Sequence, residues 1–143
     1  MHRLKDIRTS LEVGFAEGAL PESFAGLRGR EWRAVPCTPE LPFEDAQFDV
    51  VMLDGGSVTR ATVKEVHRVL RPEGCLRFAV PERTKKQEGF TLPEVYSIVR
   101  EGFNIVEVER SGRWLFSRRR RTMTICAQKK NWKSLVHTYR PYL

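Results

Sequence analysis

Residues 41–53 read Leu-Pro-Phe-Glu-Asp-Ala-Gln-Phe-Asp-Val-Val-Met-Leu, and residues 66–76 read Val-His-Arg-Val-Leu-Arg-Pro-Glu-Gly-Cys-Leu. The first stretch places an acidic turn before a continuous apolar run, which is typical of a strand buried on both faces of a parallel sheet. The second reads as the end of a helix, a Pro/Gly turn and the start of another strand. Together they predict one βαβ unit with residues 48–53 as a central strand.

The segment before this unit predicts three further elements. Residues 10–14 form a short apolar strand, and Gly14 with Gly18 breaks it before a helix that runs to about residue 28. Residues 32–35 form a second short strand, which the following prolines end. The connection from this strand to the central strand is too short for another helix.

The segment after the central strand predicts two helices and three strands. The helices cover residues 58–70 and 91–100, and the second begins with a Thr-x-x-Glu capping box. The strands cover residues 76–80, 103–108 and 122–127. The last two alternate apolar and polar side chains, as an antiparallel pair with one solvated face does.

Composition and cysteine usage narrow the class of protein. The 143 residues are 41% hydrophobic and 30% charged, and no apolar run approaches the roughly 20 residues that span a bilayer. The three cysteines, Cys37, Cys75 and Cys126, are far apart and form no Cys-x-x-Cys pair, so neither a disulfide framework nor a zinc site is indicated. Residues 1–7 lack the apolar core and the small-residue cleavage site of a secretory signal, so we expect none. We expect a soluble protein of a reducing compartment, most naturally the cytoplasm, without a metal.

The net charge of +7 is unevenly distributed. Residues 1–82 carry 11 Lys/Arg and 13 Asp/Glu, a balance of −2, whereas residues 83–143 carry 14 and 5, a balance of +9. Such asymmetry indicates either an anionic partner or a solvated basic face.

The two opening stretches resemble the middle of class I S-adenosylmethionine-dependent methyltransferases, type 11-like. In that family a Leu-Pro-Phe-x-x-x-x-Phe-Asp-x-Val run precedes the fourth strand, and an Arg-Val-Leu-x-Pro-x-Gly run precedes the fifth. The resemblance covers residues 11–129 in strand order and is strong over residues 41–76. It implies an α/β, reduced Rossmann-like methyltransferase fold with a mostly parallel sheet, an antiparallel C-terminal hairpin and S-adenosylmethionine as the cofactor.

The resemblance also implies a cofactor loop after the first strand. The family has a Glu/Asp-x-Gly-x-Gly-x-Gly loop there, whose glycines let the backbone approach the methionine end of the cofactor. Here Glu12, Gly14, Ala16 and Gly18 occupy the corresponding positions, with alanine in place of the middle glycine. These four residues are the predicted cofactor-binding set.

Part of the cofactor pocket is predicted to be missing. Only 22 residues separate Gly18 from Leu41, where a complete enzyme has room for two strands and another helix. The family's ribose-binding acid has no counterpart, and Cys37 or Thr38 holds the position of its adenine-binding Asp. Losing one charged hydrogen-bond partner typically costs about 1.5–3 kcal/mol, so two losses favour a protein with little affinity for the cofactor.

Asp54 is the predicted catalytic residue. It follows the central strand directly, where the resemblance places substrate or cofactor groups, and its carboxylate can orient a substrate or accept a proton. An ordinary turn aspartate is the alternative interpretation.

Basic and aromatic residues occur at two places. They lie in the hairpin loop of the predicted methyltransferase-like domain, residues 1–128, and in the segment that follows this domain. Arginines contact phosphates, and tryptophans stack on bases or fill protein pockets. The candidate partner-binding residues are Trp114, Arg118, Arg119, Arg120, Arg121 and Trp132, the last in a predicted tail of residues 129–143. RNA, an acidic protein surface and a solvated hairpin tip all fit this pattern.

Two functions therefore follow from the sequence. One is methyl transfer from S-adenosylmethionine. The other is a non-catalytic methyltransferase-like scaffold or binding subunit that contacts RNA or an acidic protein through its basic C-terminal half. The shortened region before Leu41 favours the second.

Overall fold

The structure, a computed structural model, describes residues 7–111 and 121–130. The described residues form one sheet of six strands: β1 Thr9–Val13, β2 Glu31–Val35, β3 Phe48–Leu53, β4 Leu70–Pro81, β5 Phe103–Ser111 and β6 Thr122–Lys129. The helices of the described residues are α1 Glu22–Ala25, α2 Arg60–Val69 and α3 Leu92–Val99, and a short 3₁₀ turn, Gly55–Ser57, follows β3.

The strand order is β2-β1-β3-β4-β6-β5. The pairs β2/β1, β1/β3 and β3/β4 are parallel, whereas β4/β6 and β6/β5 are antiparallel. The predicted α/β fold with a mostly parallel sheet and an antiparallel C-terminal pair is therefore confirmed. Between Gly18 and Leu41 the chain contributes only α1 and β2, so β2 forms one edge of the sheet.

The central strand β3 lies between β1 and β4 and is buried on both faces, as its apolar run predicts. Val51 and Leu53 belong to the larger core cluster, which α2 and α3 cover. Val50 and Met52 point to the opposite face and pack with Phe24 of α1. The strand thus joins the two layers of the core.

The two stretches of strongest resemblance hold each other in place. The Arg68 guanidinium on α2 donates hydrogen bonds to the carbonyl oxygens of Leu41 (3.0 Å) and Phe43 (2.8 Å) and to the carboxylate of Asp45 (2.9 Å). The Glu65 carboxylate accepts from the Leu41 N–H and from Arg68, and the Arg68 hydrogen bond lowers the pKa of Glu65. These residues therefore fix the turn before β3 to α2, which is a structural role that needs no cofactor.

The helix predicted to reach residue 28 is much shorter than expected. Helix α1 covers only Glu22–Ala25, because Pro21 precedes it and Gly26 ends it. The chain beyond α1 instead turns back toward β1, where Arg28 meets Glu12.

Strand β4 begins earlier than predicted. The Pro/Gly turn at residues 72–74 lies inside the strand, which starts at Leu70, and the pairing with β3 shifts register between Phe48 and Val50. Glu73 accommodates this irregularity with a φ of 66°. The chain therefore makes a kinked strand there, where the sequence predicts a separate turn.

Truncating the central strand tests this core. Val51 is fully buried and pairs with Leu11 of β1 and Leu76 of β4. Val51→Ala should lower the free energy of unfolding by about 1–3 kcal/mol, because it leaves a cavity that the rigid sheet cannot close. Urea unfolding followed by circular dichroism measures the change. An unchanged midpoint and slope would mean that Val51 does not lie in the core.

Candidate functional site

The candidate site lies at the carboxyl ends of β1 and β3. In the sheet, β2 and β3 pair with opposite edges of β1, so the strand order reverses direction at this point. Such switch points are where open α/β sheets bind ligands. The Gly14 N–H donates to the Val35 carbonyl (2.9 Å), and the Asp54 N–H donates to the Val13 carbonyl (2.9 Å). The ladder on both sides of β1 thus continues into the loops that carry the predicted site residues.

Both glycines of the predicted loop adopt the left-handed conformation. Gly14 has a φ of +84° and Gly18 a φ of +74°, which side chains other than glycine rarely adopt. A Cβ on Gly14 would lie 2.7 Å from Ser57 Oγ and 3.4 Å from Asp54 Cβ, whereas a Cβ on Gly18 would meet no atom within 4 Å. The conformation of Gly14 therefore favours glycine, and a side chain there would also have to displace the Ser57 hydroxyl in the turn after β3.

Glu12 is occupied by a partner from within the chain. Its side chain is only 4% exposed, and Arg28 holds both carboxylate oxygens, with Nε 2.6 Å from Oε2 and Nη2 2.9 Å from Oε1. This is the bidentate arrangement that gives an arginine–carboxylate pair its strength and fixed geometry. The same guanidinium lies 4.0 Å from the ring centroid of Trp32 on β2, so it is also held by a cation–π contact.

A cavity of about 330 Å³ adjoins this ion pair. Glu12, Ala16 and Gly18 line it together with Arg28 and Trp32. Three of the four predicted cofactor-binding residues therefore meet around one space, at the lower end of the roughly 300–1,000 Å³ range of small-molecule sites. The fourth, Gly14, lies beside Asp54 and Ser57 instead.

The residues at the positions predicted to hold the cofactor do not fit the cofactor that the resemblance implies. The buried carboxylate that would contact the cofactor amine already has both oxygens paired with Arg28. At the position predicted for adenine, Cys37 and Thr38 are exposed; the thiol contacts Thr62, and the Thr38 hydroxyl donates to the Glu40 carbonyl. Neither is an acid.

Asp54 lies where the sequence places it, directly after β3 and next to Gly14. Its carbonyl accepts from the Ser57 N–H (2.9 Å), which closes the 3₁₀ turn. Its carboxylate is partly exposed and forms no ion pair within the described residues. The residue is near the glycine loop, but it does not line the cavity that Glu12 shares with Arg28.

A second cavity, of about 390 Å³, lies between α2, α3 and β5 and is not expected from the sequence. His67 lines it and packs edge-to-face on Phe103, with ring centroids 5.4 Å apart. Burial lowers the pKa of His67, and the nearby Lys129 ammonium lowers it further. The imidazole is therefore a neutral packing group at neutral pH.

Most of the candidate partner-binding residues cannot be placed. Trp114, Arg118, Arg119, Arg120 and Trp132 lie outside the described residues. Arg121 is described and exposed, and its carbonyl accepts hydrogen bonds from the backbone N–H of Glu82 and from the side-chain amide of Gln87. In the described part of the chain no three His, Cys, Asp or Glu side chains gather as a metal site, and no helix there is long and apolar enough to cross a membrane.

Sequence reasoning misses Arg28 and Trp32. The sequence predicts Arg28 at the end of a helix and Trp32 in a strand. The structure keeps Trp32 in a strand, but it places the Arg28 guanidinium between the Glu12 carboxylate and the Trp32 ring. The sequence feature that indicates this turn is the pair Gly26 and Gly29 between α1 and β2, because glycines allow the chain to turn back toward β1. It does not reveal the partner of the arginine.

Solved structures establish what this arrangement resembles. A methyltransferase from Aquifex aeolicus superposes with a TM-score of 0.67 at 16% identity, covering 90% of this chain and 85% of the other. The 1,6-didemethyltoxoflavin-N1-methyltransferase of Burkholderia thailandensis, solved with S-adenosylhomocysteine, gives 0.65 at 21% identity over 90% and 73%. A Haloferax volcanii protein assigned as a methyltransferase, in complex with the activator Trm112, gives 0.66 at 13% identity over 88% and 82%.

No protein-family model and no curated protein sequence matches the chain. The structural likeness nevertheless covers 87–90% of this chain in several S-adenosylmethionine-dependent methyltransferases. The protein therefore has the class I S-adenosylmethionine-dependent methyltransferase fold, in a shortened form.

Proposed function

We propose that this chain is a non-catalytic methyltransferase-like binding protein, in which an internal ion pair replaces the contact to S-adenosylmethionine. The observation that carries the proposal is the bidentate pairing of the buried Glu12 carboxylate with Arg28. A cofactor amine would have to displace a guanidinium that forms two charge-assisted hydrogen bonds and also stacks on Trp32.

The exchange is unfavourable because the two cations are not equivalent. A guanidinium matches both carboxylate oxygens at once, whereas an ammonium is a compact point charge that does not reproduce the planar fork. Arg28 is also covalently part of the chain, so its pairing costs no association entropy. The missing ribose-binding and adenine-binding acids remove the contacts that would otherwise offset this loss.

Methyl transfer is the second candidate, and the open space beside the loop favours it. Ala16 and Gly18 line the 330 Å³ cavity, and Gly14 retains the left-handed conformation next to Asp54. In this alternative Arg28 swings out when the cofactor enters, Glu12 contacts the cofactor and Asp54 orients the methyl acceptor. Such a reaction needs only in-line positioning, so it requires no conspicuous catalytic triad.

Thermal unfolding with and without S-adenosylmethionine separates the two candidates. A ligand at 100 times its Kd stabilises a folded protein by about 2.7 kcal/mol, which raises the midpoint by several degrees. We expect millimolar S-adenosylmethionine to leave the midpoint unchanged. A rise that saturates with ligand concentration would instead support the methyltransferase candidate.

The binding role rests on the basic C-terminal half. Residues 83–143 carry a balance of +9, and clustered arginines with tryptophans suit an anionic partner. RNA and an acidic protein surface are the two candidates. That the Haloferax volcanii neighbour is held in a protein complex favours a protein partner.

The salt dependence of RNA binding tests the choice of partner. If RNA is bound, replacing Arg118, Arg119, Arg120 and Arg121 by alanine should flatten the log-affinity against log-salt slope by about 0.7 for each lost phosphate contact. Trp114→Ala is the matched control, because lost stacking should lower affinity with little change in slope. A parent protein that binds no single-stranded RNA at low salt would exclude RNA and leave the acidic protein.

A further inference from the structure

The outer edge of β2 is open in the described part of the chain. Among the described strands β2 pairs only with β1, and Trp32 on it is 47% exposed. An unpaired strand edge presents a row of backbone donors and acceptors that another strand can use.

The hydrogen bonds to β1 determine which backbone groups of β2 face outward. The Glu31 N–H donates to the Arg8 carbonyl, and the Val35 carbonyl accepts from the Gly14 N–H. The backbone groups of the odd-numbered residues therefore face β1. Those of Trp32 and Ala34 face away from it, toward the open edge, where a new strand can pair with them.

We propose that β2 pairs with β2 of a second copy of this chain, in antiparallel orientation around a two-fold axis at Trp32. A two-fold axis perpendicular to the strands makes the same edge meet itself and runs the two strands in opposite directions. The two Trp32 residues then exchange both backbone hydrogen bonds across the axis.

Charge complementarity selects this register. An axis at Trp32 places Glu31 of each copy opposite Arg33 of the other, so two pairs of opposite charge form beside the axis. An axis at Arg33 would instead place arginine opposite arginine, and an axis at Glu31 would place glutamate opposite glutamate. An axis at Ala34 would place Pro36, which has no N–H donor, opposite Trp32.

The side chains around the axis are available for this pairing. Glu31 and Arg33 are both exposed, and neither forms an ion pair with a described residue. Trp32 already carries Arg28 over its ring, which orders the indole before association. Because the two Trp32 residues face each other directly across the axis, they add an aromatic cross-strand contact.

Charge exchange at two positions tests the proposal. Sedimentation of the full chain over a range of concentrations should show a monomer–dimer equilibrium for the parent. Glu31→Arg brings two positive side chains opposite each other on both sides of the axis, and Arg33→Glu brings two negative side chains together there. Each variant alone should therefore dimerise at least about tenfold more weakly. Circular dichroism melting confirms that each variant is folded.

The decisive experiment mixes the two single variants and measures whether they form a mixed dimer. One variant then offers two arginines and the other two glutamates, so a mixed dimer should form with an affinity near that of the parent. The double variant Glu31→Arg/Arg33→Glu should likewise recover dimerisation. A parent that stays monomeric at the highest concentration, single variants that dimerise as well as the parent, or a mixture that fails to associate would each overturn the proposal.

Discussion

Replacing Arg28 by methionine should lower the thermal midpoint of the protein by several degrees. The substitution leaves the Glu12 carboxylate, which is 4% exposed, without the guanidinium that holds both of its oxygens. Removing one partner of a buried pair is more damaging than removing both, because the remaining charge stays desolvated and unpaired. Methionine keeps most of the apolar stem of Arg28, so the loss reports on the two contacts of the guanidinium, which are the ion pair with Glu12 and the cation–π contact with Trp32.

The matched variants separate the charge from the packing. Glu12→Gln leaves the Arg28 guanidinium, which is partly exposed, to be solvated by water, so it should lower the midpoint less than Arg28→Met does. The double variant Glu12→Gln/Arg28→Met should be more stable than Arg28→Met alone, because no buried charge remains. Equal midpoints for Arg28→Met and the parent would mean that Glu12 is not held by Arg28 in solution.

Replacing Gly14 by valine should lower the free energy of unfolding by about 2–3 kcal/mol. A branched side chain is strained at a φ of +84°, and its Cβ would lie 2.7 Å from Ser57 Oγ. This cost arises in the folded chain itself, so it does not depend on any ligand. Urea unfolding measures it directly.

Gly18→Val is the control for this effect, because it introduces the same branched side chain at a second glycine of positive φ. A Cβ on Gly18 would meet no neighbouring atom, so only the conformational cost of about 1–2 kcal/mol applies. The difference between the two variants therefore reports on the close approach of the loop to the turn after β3. Equal losses would show that the turn does not pack on Gly14.

Local patterns predict much of the fold. The apolar run of β3 and the helical spacing of Val63, Val66 and Val69 are signals within single segments, and these segments form the elements that the patterns indicate. The N-cap half of the predicted capping box at Thr91 forms, since the Thr91 hydroxyl accepts from the Glu94 N–H three residues away. The Glu94 carboxylate accepts from the Thr91 hydroxyl rather than from the Thr91 N–H. Short-range physics is sufficient for such elements.

The site can be predicted only in part. Glu12, Ala16 and Gly18 meet around one cavity, as the resemblance implies. The pairing of Glu12 with Arg28 joins residues 16 positions apart through a turned-back segment, and no periodicity encodes it. The early end of α1 has the same origin, since Pro21 and Gly26 limit the helix and free Arg28 to reach β1.

Calorimetric titration of S-adenosylhomocysteine into the full chain tests the central claim most directly. This product retains the amine, ribose and adenine of the cofactor, so it probes every contact that we propose is lost through the ion pair and the shortened segment. For a protein that circular dichroism shows to be folded, we predict no saturable heat up to millimolar ligand. One-to-one binding with a micromolar Kd would contradict the account, because it would show that the ligand enters despite the Glu12–Arg28 pair.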